Sequence, residues 1–172
     1  PDAGERYLTA MVVNEEHYIN RVFSEPGTHE LSRAELGSDF VQIATRIFVD
    51  PDDPDDVAAV NVLQDELAIE TGSARDFEHP DYDAQSLTVT RELLLQLGGG
   101  IRGTERMFGS RADVEPTRHL IGTAVGWGGL PEQEAVYYLE TEPRDLGVYT
   151  MTLHDVPVDA FWSVTVYNRD GF

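Results

Sequence analysis

DFVQIATRIFVDPDDPDDVAAVNVLQDEL, residues 39–67, contains both kinds of secondary structure and decides the fold class. Residues 39–49 predict the clearest strand in the first half of the chain. Asp53 is a good N-cap and Pro54 suits the first position of a helix. Apolar residues then recur at helical spacing: Val57, Val60, Leu63 and Leu67. The stretch therefore predicts a strand followed by an amphipathic helix.

The acidic turn DPDDPDD, residues 50–56, has two interpretations. One is a calcium loop, but the EF-hand pattern requires a central glycine that is missing here. The other is helix capping, because Asp55 and Asp56 would lie at the positive end of the helix dipole. The capping interpretation is favoured.

The sequence on either side of residues 39–67 also predicts both strands and helices. Strands are predicted over residues 6–13, 17–23, 134–140, 148–156 and 161–168. A single helical turn is predicted before Gly37, and two further helices are predicted to begin at Asp83 and Pro116. This order predicts an α+β fold with mainly antiparallel pairing and about three short helices.

Charge is the most unusual property of the composition. The 172 residues include 32 acids and 12 arginines but no lysine, which gives a net charge of −20. Such a charge repels phosphate, so nucleic acid is excluded as a partner and anionic membrane surfaces are disfavoured. No apolar run is long enough to cross a bilayer, so no membrane insertion is expected. The excess of acids suggests a salt-adapted source.

Residues 161–172, FWSVTVYNRDGF, end in turn chemistry. The Asp-Gly pair suits a hairpin corner, but only Phe172 follows it. We therefore expect the chain to be part of a longer protein. A sheet left open at this point would favour a homo-oligomer or pairing with the missing part of the chain.

The sequence indicates no metal site and no cofactor. It has no cysteine, and none of its five histidines forms an HExxH motif. It also lacks a GxSxG motif and a phosphate-binding loop. His17 follows Glu15 and Glu16, a group that either binds a cation or is simply exposed.

Two sets of residues are candidates for function. Arg118 and His119 open the third helix, and Trp127 follows it among glycines. They either form a pocket edge for a carboxylate or a saccharide, with Tyr167 and Asn168 nearby, or they are core and ion-pair residues. The alternative function is a hydrolase for a sugar or ester bond that uses Asp65, His119 or His17 as acid and base. The competing explanation for the position of Asp65 is a structural ion pair.

Three segments carry a resemblance to known families: RIFVDPDDPDD with LQDEL, GTAVGWGGLP, and DVPVDAFWSVTVYNRDGF. The first half of the chain resembles the later part of the uncharacterised bacterial domain family numbered 1254. The second half resembles the start and middle of the family numbered 1214, which occurs in tandem with it.

The resemblance implies domains at 1–71 and 84–172, joined by a connector at 72–83. It also implies a jelly-roll-like β-sandwich, export to the periplasm or outside the cell, and oligomerisation. It implies no reaction, so the expected function is that of a ligand-binding or assembly module.

Overall fold

The computed structural model describes residues 1–138 and 145–166 of the chain. These residues belong to two compact units, Pro1–Glu140 and Thr141–Phe172. All the helices and strands of the described residues lie in the first unit. The domain bounds that the resemblance implies remain a prediction.

A three-stranded antiparallel sheet forms the centre of the first unit. Its strands are β1 (Leu8–Asn14), β2 (Ile19–Phe23) and β3 (Val41–Ile47), in the order β2-β1-β3. Met11 of β1 pairs with Val22 on one side and with Ala44 on the other. Four consecutive residues of β1 are buried: Met11, Val12, Val13 and Asn14. Since neighbouring residues of a strand point to opposite faces, both faces of β1 are covered.

The core on one side of β1 is completed by residues that are distant in sequence. Met11, Val13 and Ile19 cluster with Met107, Phe108 and Leu130. Leu130 follows Trp127 in the segment after α4, and the carbonyl of Met107 faces His119, so packing of the core also positions the candidate site.

In the described part of the chain, four helices accompany the sheet: α1 (Arg33–Leu36), α2 (Pro54–Asp65), α3 (Ala84–Gly98) and α4 (Pro116–Val125). The side chain of Asp53 caps α2 and that of Asp83 caps α3, as predicted. Gly37 ends α1 with a φ of 70°, a conformation that favours glycine. The predicted single helical turn is α1, a helix of four residues that adds to the three longer helices.

The helix α2 is attached to the sheet by a salt bridge. Arg6 binds both carboxylate oxygens of Asp56 and also donates to the carbonyl of Phe48. The backbone N–H of Asp50 donates to the same carboxylate (2.8 Å). The acidic turn therefore caps α2, as the capping interpretation predicts. It also fixes α2 next to the end of β3, which the sequence did not indicate.

Helix α3 packs against α4 at its C-terminal end. Leu94, Leu95 and Gly98 are half-buried, and a Cβ added to Gly98 would lie 2.7 Å from Ile121. Glycine at position 98 thus lets the two helices approach closely. None of the 15 residues of α3 is fully buried.

The antiparallel α+β class is confirmed, but a jelly-roll sandwich is not shown. The prediction of strands after residue 134 is wrong for the described residues, because 134–138 and 145–166 contain no strand. These segments have the alternation typical of strands, yet a strand forms only when its backbone pairs with another strand. Their remaining residues, Tyr167 and Asn168 among them, lie outside the described part.

Candidate functional site

The turn between β1 and β2 holds His17 in an unusual conformation. The Asn14 side chain accepts hydrogen bonds from the backbone N–H groups of Glu16 (3.1 Å) and Tyr18 (2.8 Å). Its amide also donates to the carbonyl of Leu36 (2.9 Å). The turn places His17 at a φ of 64°, which is uncommon for a residue other than glycine. The buried Asn14 therefore fixes the direction of the His17 imidazole.

His119 lies on α4 with both ring nitrogens facing backbone carbonyls. Nδ1 is 2.8 Å from the carbonyl of Met107, and Nε2 is 3.2 Å from that of Glu16. A carbonyl can only accept, and a neutral imidazole has one N–H. Only a ring protonated on both nitrogens donates to both partners. His119 thus joins α4 to two separate loops.

His17 has the opposite surroundings. The backbone N–H of Gly128 donates to its Nε2 (3.1 Å), so the proton of the neutral ring lies on Nδ1. Nδ1 is buried and has no hydrogen-bond partner among the described residues. Burial, and then the nearby His119, lower the pKa of His17 below its ordinary value.

Four rings form a continuous row, which we call the aromatic row: Tyr18, His119, His17 and Trp127. Tyr18 and His119 are stacked with centroids 4.6 Å apart. His119 and His17 follow at 6.0 Å, and His17 and Trp127 at 5.9 Å. At the far end, the guanidinium of Arg111 lies 4.7 Å from the Tyr18 centroid. The aromatic row therefore begins next to the exposed Arg111 and ends at the half-exposed Trp127.

Glycines after α4 allow Trp127 to reach the row. Gly128 has a φ of 72°, and its carbonyl accepts from Arg46 of β3 (3.1 Å). A Cβ on Gly129 would lie 2.3 Å from the Phe108 ring, which itself contacts His17 edge-on at 6.1 Å. The glycine-rich segment is thus required for close packing around His17, and it does more than end the helix.

The Arg118 side chain forms an ion pair and hydrogen bonds with the loop that precedes Met107. Its guanidinium donates to the carbonyl of Glu105 (2.6 Å) and to the carboxylate of the same residue (2.9 Å). It also donates to the carbonyl of Gly103 (3.3 Å). This arrangement matches the ion-pair interpretation, and it fixes the loop before Met107 to α4.

The remaining candidates lie elsewhere. Asp65 is exposed at the C-terminal end of α2 and is absent from the contacts of both imidazoles. Tyr167 and Asn168 lie outside the described residues. The structure therefore brings His17, His119 and Trp127 together and leaves Asp65 apart.

An open cleft has Phe108 among its lining residues. It has a volume of about 300 Å³ and is lined by Arg106, Phe108, Ala112, Asp113, Glu132 and Gln133. The Asp113 carboxylate accepts from the Ser110 hydroxyl (2.5 Å). The walls are polar apart from Phe108 and Ala112, which suits a small hydroxylated molecule better than an apolar one.

Sequence reasoning missed Asn14 and Phe108, which give His17 its position. An Asn before a turn is a weak signal, and a phenylalanine in a loop carries none. Within the described ranges, no three His, Asp or Glu residues are grouped so as to hold a metal ion. Among the same residues, no helix is long and apolar enough to cross a membrane.

Comparison with protein-family models, with curated proteins and with solved structures found no match to this chain. The resemblance to the families numbered 1254 and 1214 therefore remains a prediction, and the function must be argued from the geometry alone.

Proposed function

We propose that this chain is a non-catalytic assembly module, a folded unit whose apolar surfaces are covered by protein in a larger complex. The observation that carries the proposal is α3. It exposes Leu87, Val89, Leu93 and Leu97, each 47–63% accessible. A helix of this length depends on tertiary packing for most of its stability. An apolar helix that is packed only at one end therefore indicates a surface that a partner covers.

The second unit supports the same proposal. Its described residues expose Tyr149, Met151, Trp162, Val164 and Val166. Apolar residues occupy every second position in two runs, as they do on the apolar face of a strand. The runs are Tyr149 and Met151, and then Trp162, Val164 and Val166. We propose that these segments become strands when they pair with another chain, which would complete an antiparallel sandwich of the jelly-roll type.

The resemblance to exported families supports a periplasmic or secreted location for such a module. A net charge of −20 keeps such a module soluble as long as no partner covers its apolar surface.

Binding of an environment-sensitive apolar dye tests the assembly proposal. At micromolar concentration and low salt, the intact chain should bind the dye while circular dichroism shows native helix and sheet. Replacing Leu93 and Leu97 together with serine should reduce the dye signal, whereas the control Thr88→Ser, on another side of α3, should leave it unchanged. A folded chain that binds no dye would overturn the proposal.

Small-ligand binding is a second candidate, favoured by Trp127. This ring is 54% exposed at the end of the aromatic row, where it could stack on a sugar. Trp127 and Trp162 are the two tryptophans of the chain, so Trp162→Phe isolates the fluorescence of Trp127. Quenching or a shift on titration with oligosaccharides, abolished by Trp127→Ala, would support binding here; an unchanged spectrum would reject this placement.

The hydrolase alternative receives less support. Both imidazoles are hydrogen-bonded to main-chain groups. In the described part of the chain, neither has a carboxylate within hydrogen-bonding distance that could act with it in acid–base catalysis.

A further inference from the structure

The segment 127–129, which follows α4, packs against the ring of His17. The backbone N–H of Gly128 donates to Nε2 of His17 (3.1 Å), and Gly128 is itself buried. Gly129 lies against Phe108, since a Cβ added to Gly129 would be 2.3 Å from the Phe108 ring. We call residues 127–129 the lid, because their backbone contacts both rings.

The lid is a short segment between two fixed points. Before it, the N–H of Gly126 donates to the carbonyl of Gly122 (3.0 Å) at the end of α4. After it, Leu130 is buried in the core. Between these points, the carbonyl of Gly128 also accepts from Arg46 of β3 (3.1 Å). The lid can therefore separate from the imidazole while α4 and the core stay in place.

The hydrogen bond between the lid and His17 requires a neutral imidazole. In the neutral ring, Nε2 accepts from Gly128 and Nδ1 carries the proton. A second proton turns Nε2 into a donor that faces the N–H donor of Gly128. Nδ1 is buried without a hydrogen-bond partner among the described residues, so neither nitrogen of the charged ring would face an acceptor there. Protonation therefore favours a state in which the lid is released and water reaches Nε2.

The charges around His17 do not compensate for an imidazolium. Hydrogen bonds, ion pairs and ring contacts place six titratable or charged groups around His17 and the lid: His119, Glu15, Glu16, Tyr18, Arg46 and Arg111. The Glu16 carboxylate pairs with Arg111, and that of Glu15 accepts from the backbone N–H groups of residues 39 and 40. Burial, and then the nearby His119, lower the pKa of His17.

We propose that the lid is a pH-operated switch, which is closed on His17 at neutral pH and opens when His17 takes up a second proton. Opening moves Gly129 away from the ring of Phe108, which also lines the open cleft. Mild acid therefore changes both the wall of that cleft and the position of Trp127. The proposal does not depend on the assembly function.

Linkage gives the direction and the size of the effect. In the open lid, His17 is in contact with water and has the ordinary histidine pKa of about 6.5. In the closed lid, its pKa is lower. The open state therefore binds the proton more readily, and the closed state is fully favoured above the ordinary pKa. Below it, the ratio of open to closed lid rises by at most about tenfold for each pH unit, because one proton is involved.

Amide hydrogen exchange of the intact chain, followed by NMR from neutral to mildly acidic pH, tests the proposal. At neutral pH the N–H of Gly128 should be protected. After correction for the intrinsic exchange rate, its protection should fall by up to about tenfold per pH unit below about pH 6.5. A local opening exposes little surface, so exchange at Gly128 should be insensitive to low concentrations of urea. The N–H of Ile19, which donates to the carbonyl of Gly109 (2.8 Å), should show the steeper urea dependence of global unfolding.

Three variants separate the titrating contact of the lid from its other contact. His17→Asn tolerates the positive φ and should abolish the pH dependence of Gly128 protection. His154→Asn, at an exposed position, should retain it. Arg46→Met removes the other hydrogen bond to Gly128, so it should lower the protection by the same factor at every pH. Circular dichroism verifies that the variants are folded.

The wild-type measurements alone can overturn the proposal, even where a variant fails to fold. A Gly128 amide that is unprotected at neutral pH, or whose protection does not change with pH, would do so. Equal urea dependence at Gly128 and Ile19 would also do so, since the lid would then open only when the protein unfolds. An unchanged pH dependence in folded His17→Asn would reject His17 as the group that operates the lid.

Discussion

His17 and His119 stack with their centroids 6.0 Å apart and their planes inclined by 28°, yet their ring nitrogens face opposite kinds of hydrogen-bond partner. His119 faces two acceptors, the carbonyls of Met107 and Glu16. His17 faces a donor, the N–H of Gly128. A second proton on His17 would break that hydrogen bond and place a cation beside His119. The pair is therefore stable in one arrangement, with His17 neutral.

The first prediction concerns pH and His17. Its pKa is lowered in the folded state, chiefly by burial. The unfolded chain, with a His pKa of about 6.5, therefore takes up this proton first as the pH falls. Stability should be highest above pH 6.5 and should decrease as the pH falls below that value towards the folded-state pKa. Urea unfolding between pH 7.5 and pH 5, roughly the range of histidine titration, measures this slope.

His17→Asn provides the comparison for this prediction. Asparagine tolerates the positive φ of the site but does not titrate. The variant should lose part of the pH dependence, whereas His154→Asn, at an exposed position, should retain it. Equal slopes in wild type and His17→Asn would contradict the prediction.

Local signals predicted the helices well. Asp53, Asp83 and Pro116 specify helix starts through caps that depend on neighbouring residues only. The strands β1 and β3 were likewise predicted from their own residues. The helix caps are accessible to sequence reasoning because their hydrogen bonds close within a few residues. The strands β1 and β3 are accessible through their own residue pattern, although Met11 pairs with the distant Ala44.

Features that depend on distant contacts could not be predicted. His17, His119 and Trp127 were each candidates, but nothing in the sequence indicated that residues about 100 positions apart form one row. The segments 148–153 and 161–166 have a strand pattern, but no described partner strand pairs with them. A periodic pattern shows which side of a strand would be apolar, and it does not supply the second strand.

The second prediction concerns His119. Replacement by alanine should reduce the free energy of unfolding by about 1–3 kcal/mol, because it removes the hydrogen-bonding ring nitrogen that faces the buried carbonyl of Met107. It also removes the contact with the carbonyl of Glu16. Chemical denaturation measures the loss, with Leu120→Ala as the control because Leu120 is exposed on the same helix. Similar stability of the two variants would show that His119 does not connect the loops.

The third prediction concerns Gly129. A Cβ at this position would lie 2.3–2.6 Å from three atoms of the Phe108 ring. Gly129→Ala must therefore displace a buried ring, which should cost about 1–3 kcal/mol. Gly126→Ala is the matched control, since a Cβ there has no atom within 4 Å. Thermal unfolding should show a lowered Tm for Gly129→Ala alone; a Tm equal to that of the control would contradict the assigned packing of the loop.

The fourth prediction concerns the acidic turn and Asp56. Hydrogen bonds from Arg6, and then from the backbone of Asp50, lower the pKa of Asp56 to about 2. Because the unfolded carboxyl has a pKa near 3.8, the charged form stabilises the folded state above that pH. This contribution should be lost as the pH falls from about 4 to about 2.

Asp56→Asn should lower the Tm at pH 7 and flatten the acid limb of the stability curve. Asp52→Asn, in the same turn but without the salt bridge to Arg6, should retain the wild-type acid limb. If Asp56→Asn and Asp52→Asn have the same acid limb, the attachment of α2 to the sheet through Arg6 is not the source of the acid sensitivity. The comparison therefore separates one specific ion pair from the general effect of neutralising a chain that carries 32 acids.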